Sequence, residues 1–432
     1  MTNEWQVKRI EEIAKTTSGG TPSRTNKSYY SGNILWVKSG ELTDNFIFDT
    51  EEKISEDAVK NSSAKLFPTG TVLVAMYGAT VGKTAILKKA ATTNQAVCGI
   101  FPNESVFNNE FLRFQLMFKR EDFLKQRYGG AQPNISQTII KNFEIQLPCL
   151  MEQKKIAYVL CTLRQGMELQ DKLIQVALEL KKSLMNKLFT EGTKPEKRKQ
   201  TEFGLVPESW NVEPFENTGE VVYGIQAAVA SNLKPLGHKI LTNKNITLEG
   251  KLDLGKINYY QLTSKRHFNS ILKKGDLLFN WRSGSKEHVG KTAIFDLEDG
   301  EYVHSSFILR IRVNHNHNSR FLFYYLNYLR EIGYYQKVQT FSINAKFNKS
   351  AINAMPIALP RKEVQDEIAE TIRIVDKKID NLKANYELKL SLFKTLLHEL
   401  LTGKRKIKDI NFPNITNEYE IINQPVSIAA ER

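Results

Sequence analysis

Between residues 368 and 400, apolar side chains fall at Ile368, Ile372, Val375, Ile379, Leu382, Tyr386, Leu390, Phe393, Leu397 and Leu400, in steps of four and three. Such spacing is the seam of a coiled coil. An earlier segment carries a second stripe at Ile156, Leu160, Leu163, Met167, Leu173, Ala177, Leu180, Leu184 and Leu188, with Gly166 and Gln170 as weak points. No proline interrupts either stripe, and Gly192 and Gly403 stand where C-terminal caps belong. Either stripe alone also fits an amphipathic helix lying on its own domain. Each predicted helix, however, runs on the order of 38 residues, or about 57 Å, too long for a unit of about 145 residues to cover. Each also has an equal partner in the same chain, so the economical arrangement is an intramolecular coil. An antiparallel coil puts the globular units at opposite ends and a parallel one puts both at one end; only the former converts helix length into a fixed separation.

The segments in front of these stripes read differently. Short apolar runs at 34–38, 71–76, 84–87, 277–281, 292–295 and 307–313, divided by turn residues, predict mostly strands. Helices are expected near 109–126 and 319–337. The alternation in 307–313 predicts a strand with Arg310 and Arg312 on its polar face.

The chain is also written twice. Trp5-Gln-Val7 returns as Trp210-Asn-Val212 and Gly70-Thr-Val-Leu-Val74 as Gly275-Asp-Leu-Leu-Phe279, both offset by 205. Val81-Gly-Lys-Thr-Ala-Ile86 returns unchanged as Val289-Gly-Lys-Thr-Ala-Ile294. From Leu147-Pro148 onward the offset settles at 212, pairing Gln153 with Gln365 and 184–190 with 396–402. The predicted fold is therefore α+β: two mixed, strand-rich domains joined by two long helices in an antiparallel coiled coil. The expected divisions are a first domain at 1–148, a long helix at 149–192, a linker at 193–207, a second domain at 208–360, a second long helix at 361–403 and a tail at 404–432.

Charge adds a partner to this outline. With 61 Lys and Arg against 47 Asp and Glu, the formal charge is +14, which favours a polyanion whose counterions are released on binding. Cys98, Cys149 and Cys161 are far apart and form no CxxC, as expected in a reducing cytoplasm. The N-terminus lacks an apolar signal-like run and no stretch approaches a bilayer span, so neither secretion nor membrane insertion is expected.

Chemical motifs are sparse. Lys83 and Lys291 sit in Gly-Lys-Thr triplets, but a phosphate-binding loop needs glycine where Tyr77 and Ser285 stand, and the flanking runs read as strands. Each triplet is better read as a hairpin turn whose lysine touches phosphate. His315 and His317 have no Cys or acidic partner at ligand spacing, so no metal is expected. No GxSxG, HExxH or GxGxxG is present, nor the Asn-Pro-Pro-aromatic or Asp-Pro-Pro-aromatic tetrapeptide of amino-methyltransferases.

The loops are better stocked. Thr21, Ser23 and Arg24 in Ser18-Gly-Gly-Thr-Pro-Ser-Arg24 combine hydroxyls, backbone donors and a cation suited to phosphate, with Lys38 and Tyr77 as further candidates. Gln132 and Asn134 carry amides able to pair with adenine in the major groove. In the second repeat Trp281, Arg282, Ser283, Lys286, Asn344 and Lys346 are the corresponding candidates. Taken singly, Gly, Ser and Asn residues here also fit simple turns.

Together these features resemble the specificity subunit of type I restriction and modification systems. The resemblance covers nearly the whole chain and rests on Ser18-Gly-Gly-Thr-Pro-Ser23 through Trp36, Gly204-Leu-Val-Pro-Glu-Ser-Trp210, 276–294, the two Leu-Pro boundaries and Glu152-Gln-Lys-Lys-Ile-Ala157 with its echo Val364-Gln-Asp-Glu-Ile-Ala369. The echo departs at Val364, where the first copy has Glu152. The resemblance implies two target recognition domains, each reading half of a bipartite double-stranded DNA sequence, with the helices setting the unspecified gap. It also implies two modification subunits carrying S-adenosylmethionine, and restriction subunits using ATP and Mg2+, with no cofactor on this chain and no catalysis of its own. A nucleotide-binding enzyme built around Gly82-Lys83-Thr84 and a coiled-coil scaffold are the alternative readings.

Overall fold

The computed structural model describes residues 5–125, 134–226, 237–262, 264–338 and 347–407. The chain divides into two compact units, 1–172 with 383–432, and 173–382.

In the first unit the strands are β1 (Gln6–Arg9), β2 (Thr16–Ser18), β3 (Ile34–Val37), β4 (Asn45–Ile47), β5 (Lys53–Ile54), β6 (Val72–Ala75), β7 (Thr84–Leu87), β8 (Ala91–Thr93), β9 (Val97–Ile100) and β10 (Glu144–Leu147). A five-stranded sheet runs β2-β9-β6-β7-β4, a smaller one β5-β3-β8, and β1 pairs with β10. Strand β6 is uniformly apolar because both its faces are covered. Val72 and Val74 join one core with Phe111 and Phe114, while Leu73 and Ala75 join another with Leu35 and Val37.

The second unit repeats this plan with β11 (Arg198–Thr201), β12 (Gly204–Pro207), β13 (Asn211–Pro214), β14 (Gly219–Tyr223), β15 (His238–Leu241), β16 (Asn258–Tyr260), β17 (Leu277–Asn280), β18 (Thr292–Ile294), β19 (Tyr302–His304), β20 (Ile308–Val313) and β21 (Pro356–Leu359). Its sheet β14-β20-β17-β18 follows β2-β9-β6-β7, β16-β15-β19 follows β5-β3-β8, and β13-β21 follows β1-β10. Strands β11 and β12 form a separate hairpin.

Three local expectations are corrected. The 109–126 helix is two pieces, Asn109–Phe118 and Arg120–Lys125. The 319–337 helix is also two pieces, Ser319–Glu331 and Tyr334–Val338, interrupted at Gly333, whose φ of 77° leaves the right-handed helical region. Nor do Arg310 and Arg312 lie on an open polar face. Arg310 is buried and reaches Glu220 at 2.7 Å, and Arg312 grips the buried Asp276 through two bonds of 2.8 and 2.7 Å.

The long helices are Leu150–Glu191 and Lys362–Leu401. In the first unit, Ile156, Ala157, Leu160 and Cys161 of the first helix share a core with Phe393, Leu400 and Leu401 of the second. In the second unit, Met185, Leu188 and Phe189 share one with Ile368, Ala369 and Ile372. Beginning meets end in each unit, so the helices pair antiparallel.

Of the expected seam, Ile156, Leu160, Ile368, Ile372 and Ile379 are buried, and Leu163, Leu184, Val375 and Leu382 are half-buried. Leu173 and Leu180 are corrected: they are 41% and 57% exposed, and Ile174 and Met185 take the inner positions. The phase changes at the weak point in the stripe. Gln170 is buried there, and Lys389 Nζ donates to its Oε1 at 2.9 Å and to Gly166 O at 3.3 Å. Eleven residues further along the first helix, Lys181 meets Asp376 of the second at 2.7 Å.

The repeated glutamine also has a structural role. Buried Gln153 accepts from Asn108 N at 2.9 Å and donates to Pro148 O at 2.9 Å, and Gln365 does the same with Asn318 N and Pro360 O. Each fixes the start of its long helix to the loop preceding a domain helix. Among the described residues, no helix is long and apolar enough to cross a membrane.

Candidate nucleic-acid interface

In each domain, backbone bonds draw the loops at one end of the main sheet together. In the first, Gly20 N donates to Thr93 O at 2.9 Å, Met76 N to Ala96 O at 2.7 Å and Ile135 N to Met76 O at 2.9 Å. The turn after β2, the end of β6, the loop before β9 and the segment around Asn134 therefore converge. In the second domain, Ile225 N donates to His304 O at 2.8 Å and Phe347 N to Trp281 O at 2.8 Å. Ile135 and Phe347 are separated by the repeat offset of 212, and Met76 and Trp281 by 205, so the same closure is built twice.

The first-domain candidates gather on this surface. Thr21 Oγ1 donates to Gln95 Oε1, and Ser23 bonds Thr25 at 2.8 Å. Trp36 Nε1 donates to Gly20 O at 3.1 Å and Tyr30 OH to Pro22 O at 2.7 Å, so two rings brace the glycine-rich turn. The Arg24 guanidinium lies 4.2 Å from the Tyr30 centroid and 5.1 Å from that of Trp36, within cation–π range. It also forks onto Glu52 at 2.6 and 3.3 Å, and Lys38 Nζ meets Glu51 at 2.7 Å and Glu52 at 3.2 Å. The Arg24 bond holds the Glu52 carboxyl below its ordinary pKa. Tyr77 and Asn134 are exposed beside the Met76–Ile135 closure, and Lys83 is half-buried in the β6–β7 turn. Gly82 there has φ 77°, a conformation that costs glycine little.

The second domain brings together Trp281, Arg282 and Phe307. Trp281 Nε1 donates to Ser306 O at 2.7 Å, and the exposed Arg282 lies 4.4 Å from the Phe307 centroid and 5.7 Å from that of Trp281. Tyr223 packs edge-on against Trp281. Ser283 Oγ accepts from Ser285 N at 3.3 Å, and Lys286 is exposed in the same turn. Lys291 stands apart from this group. It is 5% exposed, and its Nζ donates to Ile246 O at 2.5 Å and Asn243 O at 3.1 Å. Burial pushes its pKa down, and its ammonium caps a loop instead of facing solvent. Gln132, Asn344 and Lys346 lie outside the described residues.

Glu52, Gln95, Tyr223 and Phe307 were not singled out by the sequence reading. Gln95 and Phe307 flank strands that sequence patterning locates, but only the folded loops place them beside Thr21 and Arg282. Glu52 immediately precedes the two-residue strand β5, with no motif around it.

Comparisons with known proteins agree with the duplication. The family described as type I restriction modification DNA specificity domain matches twice, over residues 2–179 and 213–390. The type I restriction enzyme MjaVIII specificity subunit of Methanocaldococcus jannaschii is 24% identical over 418 residues, 95% of each chain. The MjaIX specificity subunit of the same organism is 35% identical over 189 residues, 42% of this chain and 43% of that relative. A type I restriction-modification S subunit from M. genitalium shares the fold with a TM-score of 0.59 at 14% identity, covering 93% of this chain and 97% of the other.

Proposed function

Since the chain belongs to the type I restriction modification DNA specificity family, we propose that each of its domains reads one half of a bipartite duplex target through the loops gathered at the end of its main sheet. The observation that carries this reading is the repeated closure, Ile135 N to Met76 O and Phe347 N to Trp281 O, which builds equivalent loop clusters from different side chains. A braced turn with Arg24 supplies phosphate contacts, and exposed Tyr77, Asn134 and Arg282 supply groups able to reach base edges. Different side chains on equivalent frames imply two different half-sites.

The long antiparallel helices then set the unspecified gap between the half-sites. Methyl transfer and S-adenosylmethionine belong to two modification subunits that dock on this chain, and ATP- and Mg2+-dependent cleavage belongs to restriction subunits. The chain contributes sequence choice and spacing.

Mapping methylated adenines in a host that carries only this chain and its modification partner defines the target. Footprinting of the purified pair should then show two short protected half-sites flanking an indifferent middle, with affinity falling steeply in salt. Uniform protection without sequence preference overturns the reading. Inserting one heptad after Ala177 and one after Asp380, each four residues from the Lys181–Asp376 pair, adds about 10 Å of coil and should widen the preferred gap by about three base pairs. An unchanged gap rejects the spacing role. Heat of ATP or S-adenosylmethionine binding by the isolated chain would favour an enzyme instead.

A further inference from the structure

We propose that Glu52 is an internal competitor for the phosphate-binding cations of the first domain, holding Arg24 and Lys38 until a DNA phosphate displaces it. This rests on the DNA reading above. The carboxylate occupies the position a phosphate would take: Arg24 forks onto both its oxygens at 2.6 and 3.3 Å, and Lys38 reaches Oε1 at 3.2 Å. Planar two-point gripping of this kind suits carboxylate and phosphate alike.

The cations are placed by other groups. Arg24 rests on Tyr30 and Trp36, and both rings are tied to the glycine-rich turn by their own hydrogen bonds. The loop carrying Lys38 is fixed by Glu41, which accepts from Lys38 N at 2.7 Å and from Glu51 N at 2.9 Å. The carboxylates thus do different work, Glu41 setting the backbone, Glu52 neutralising Arg24 and sharing Lys38 with Glu51, which lies 2.7 Å from its ammonium. With Arg24 side chain 55% exposed, a phosphate can approach from solvent and exchange with the carboxylate. In the second domain Arg282 lies against Phe307 and Trp281, and among the described residues it pairs with no carboxylate. The competitor therefore belongs to the first domain.

Exchange of one anion for another releases fewer counterions than occupation of a bare cation, so Glu52 weakens binding to any duplex and flattens its salt dependence. Because the same carboxylate must be displaced by either duplex, the loss is common to target and other DNA, and it lowers overall affinity without changing their ratio.

The test is Glu52→Gln in the full chain bound to its modification partner, with target and scrambled duplexes titrated by fluorescence anisotropy across a salt series. Affinity for target and scrambled DNA alike should rise about threefold to tenfold at low salt, with a log–log salt slope steeper by about one, and the ratio of the two affinities should stay near that of the parent. Glu52→Asp, which keeps the charge, should stay near the parent, and matched thermal unfolding of all three proteins shows that the fold is retained. Unchanged affinities and slope in a folded Glu52→Gln protein identify an inert ion pair and overturn the proposal. Loss of target binding alone overturns it too, and marks Glu52 as an acceptor for a cytosine amine. If the parent complex itself binds no duplex in a salt-dependent way, the DNA reading fails and the competitor falls with it.

Discussion

Lys83 and Lys291 occupy the same place in an identical hexapeptide, yet their ammonium groups have opposite surroundings. Lys83 is half-buried at the candidate interface, whereas Lys291 Nζ is held by the carbonyls of Asn243 and Ile246. Lys83→Ala should therefore leave stability within about 0.5 kcal/mol while weakening DNA binding and reducing the salt slope by about one. Lys291→Met should leave the slope unchanged and destabilise the protein by about 1–3 kcal/mol, because two buried carbonyls lose their donor. Urea unfolding and salt-dependent anisotropy on the same preparations separate the two. The hexapeptide makes the hairpin turns legible in sequence. The fate of Lys291 depends on a loop more than forty residues away, which local pattern does not report. Glu52 escapes for the same reason, since its meaning comes from Arg24 and Lys38 across the fold.

At the scale of elements, the long helices are legible because a period of four and three over many turns has no other economical explanation. Where the stripe weakens, prediction loses phase. From Met167 the sequence offers Leu173 as the next apolar residue of the row, but the helix buries Gln170 against Lys389 and continues inward at Ile174. A buried amide satisfied by a partner side chain is invisible to a count of apolar residues. Ile174→Ala should accordingly cost about 2–5 kcal/mol and Leu173→Ala under about 1 kcal/mol, measured by urea unfolding of the full chain. Equal losses would restore the row expected from sequence. Strands such as β6 and β17 are legible as apolar runs, whereas the break at Gly333 required the backbone angle itself.

For the molecule as a whole, duplication is the most informative property of the sequence, and the shared strand order and repeated loop closures are its structural expression. The compact units nevertheless do not follow the repeats. The second unit is one uninterrupted stretch, 173–382, while the first needs 1–172 together with 383–432. Leu160 and Cys161 acquire Phe393, Leu400 and Leu401 as core neighbours only when the second helix exists. On the ribosome this reverses the usual order of completion. At about 5–20 residues per second, the interval between synthesis of Lys172 and Lys383 is roughly 10–40 s, during which the early half of the first helix lacks its partner. Nascent chains arrested with residue 382 just clear of the ribosomal exit tunnel should yield a protease-resistant fragment from 173–382 before resistance appears in 150–172, as pulse proteolysis of staged arrests can read. Equal protection of both stretches at that stage would contradict this order. In the expected sequence of events the unit begun first is finished last, and the apolar face of its helix must remain soluble through the whole synthesis of the other.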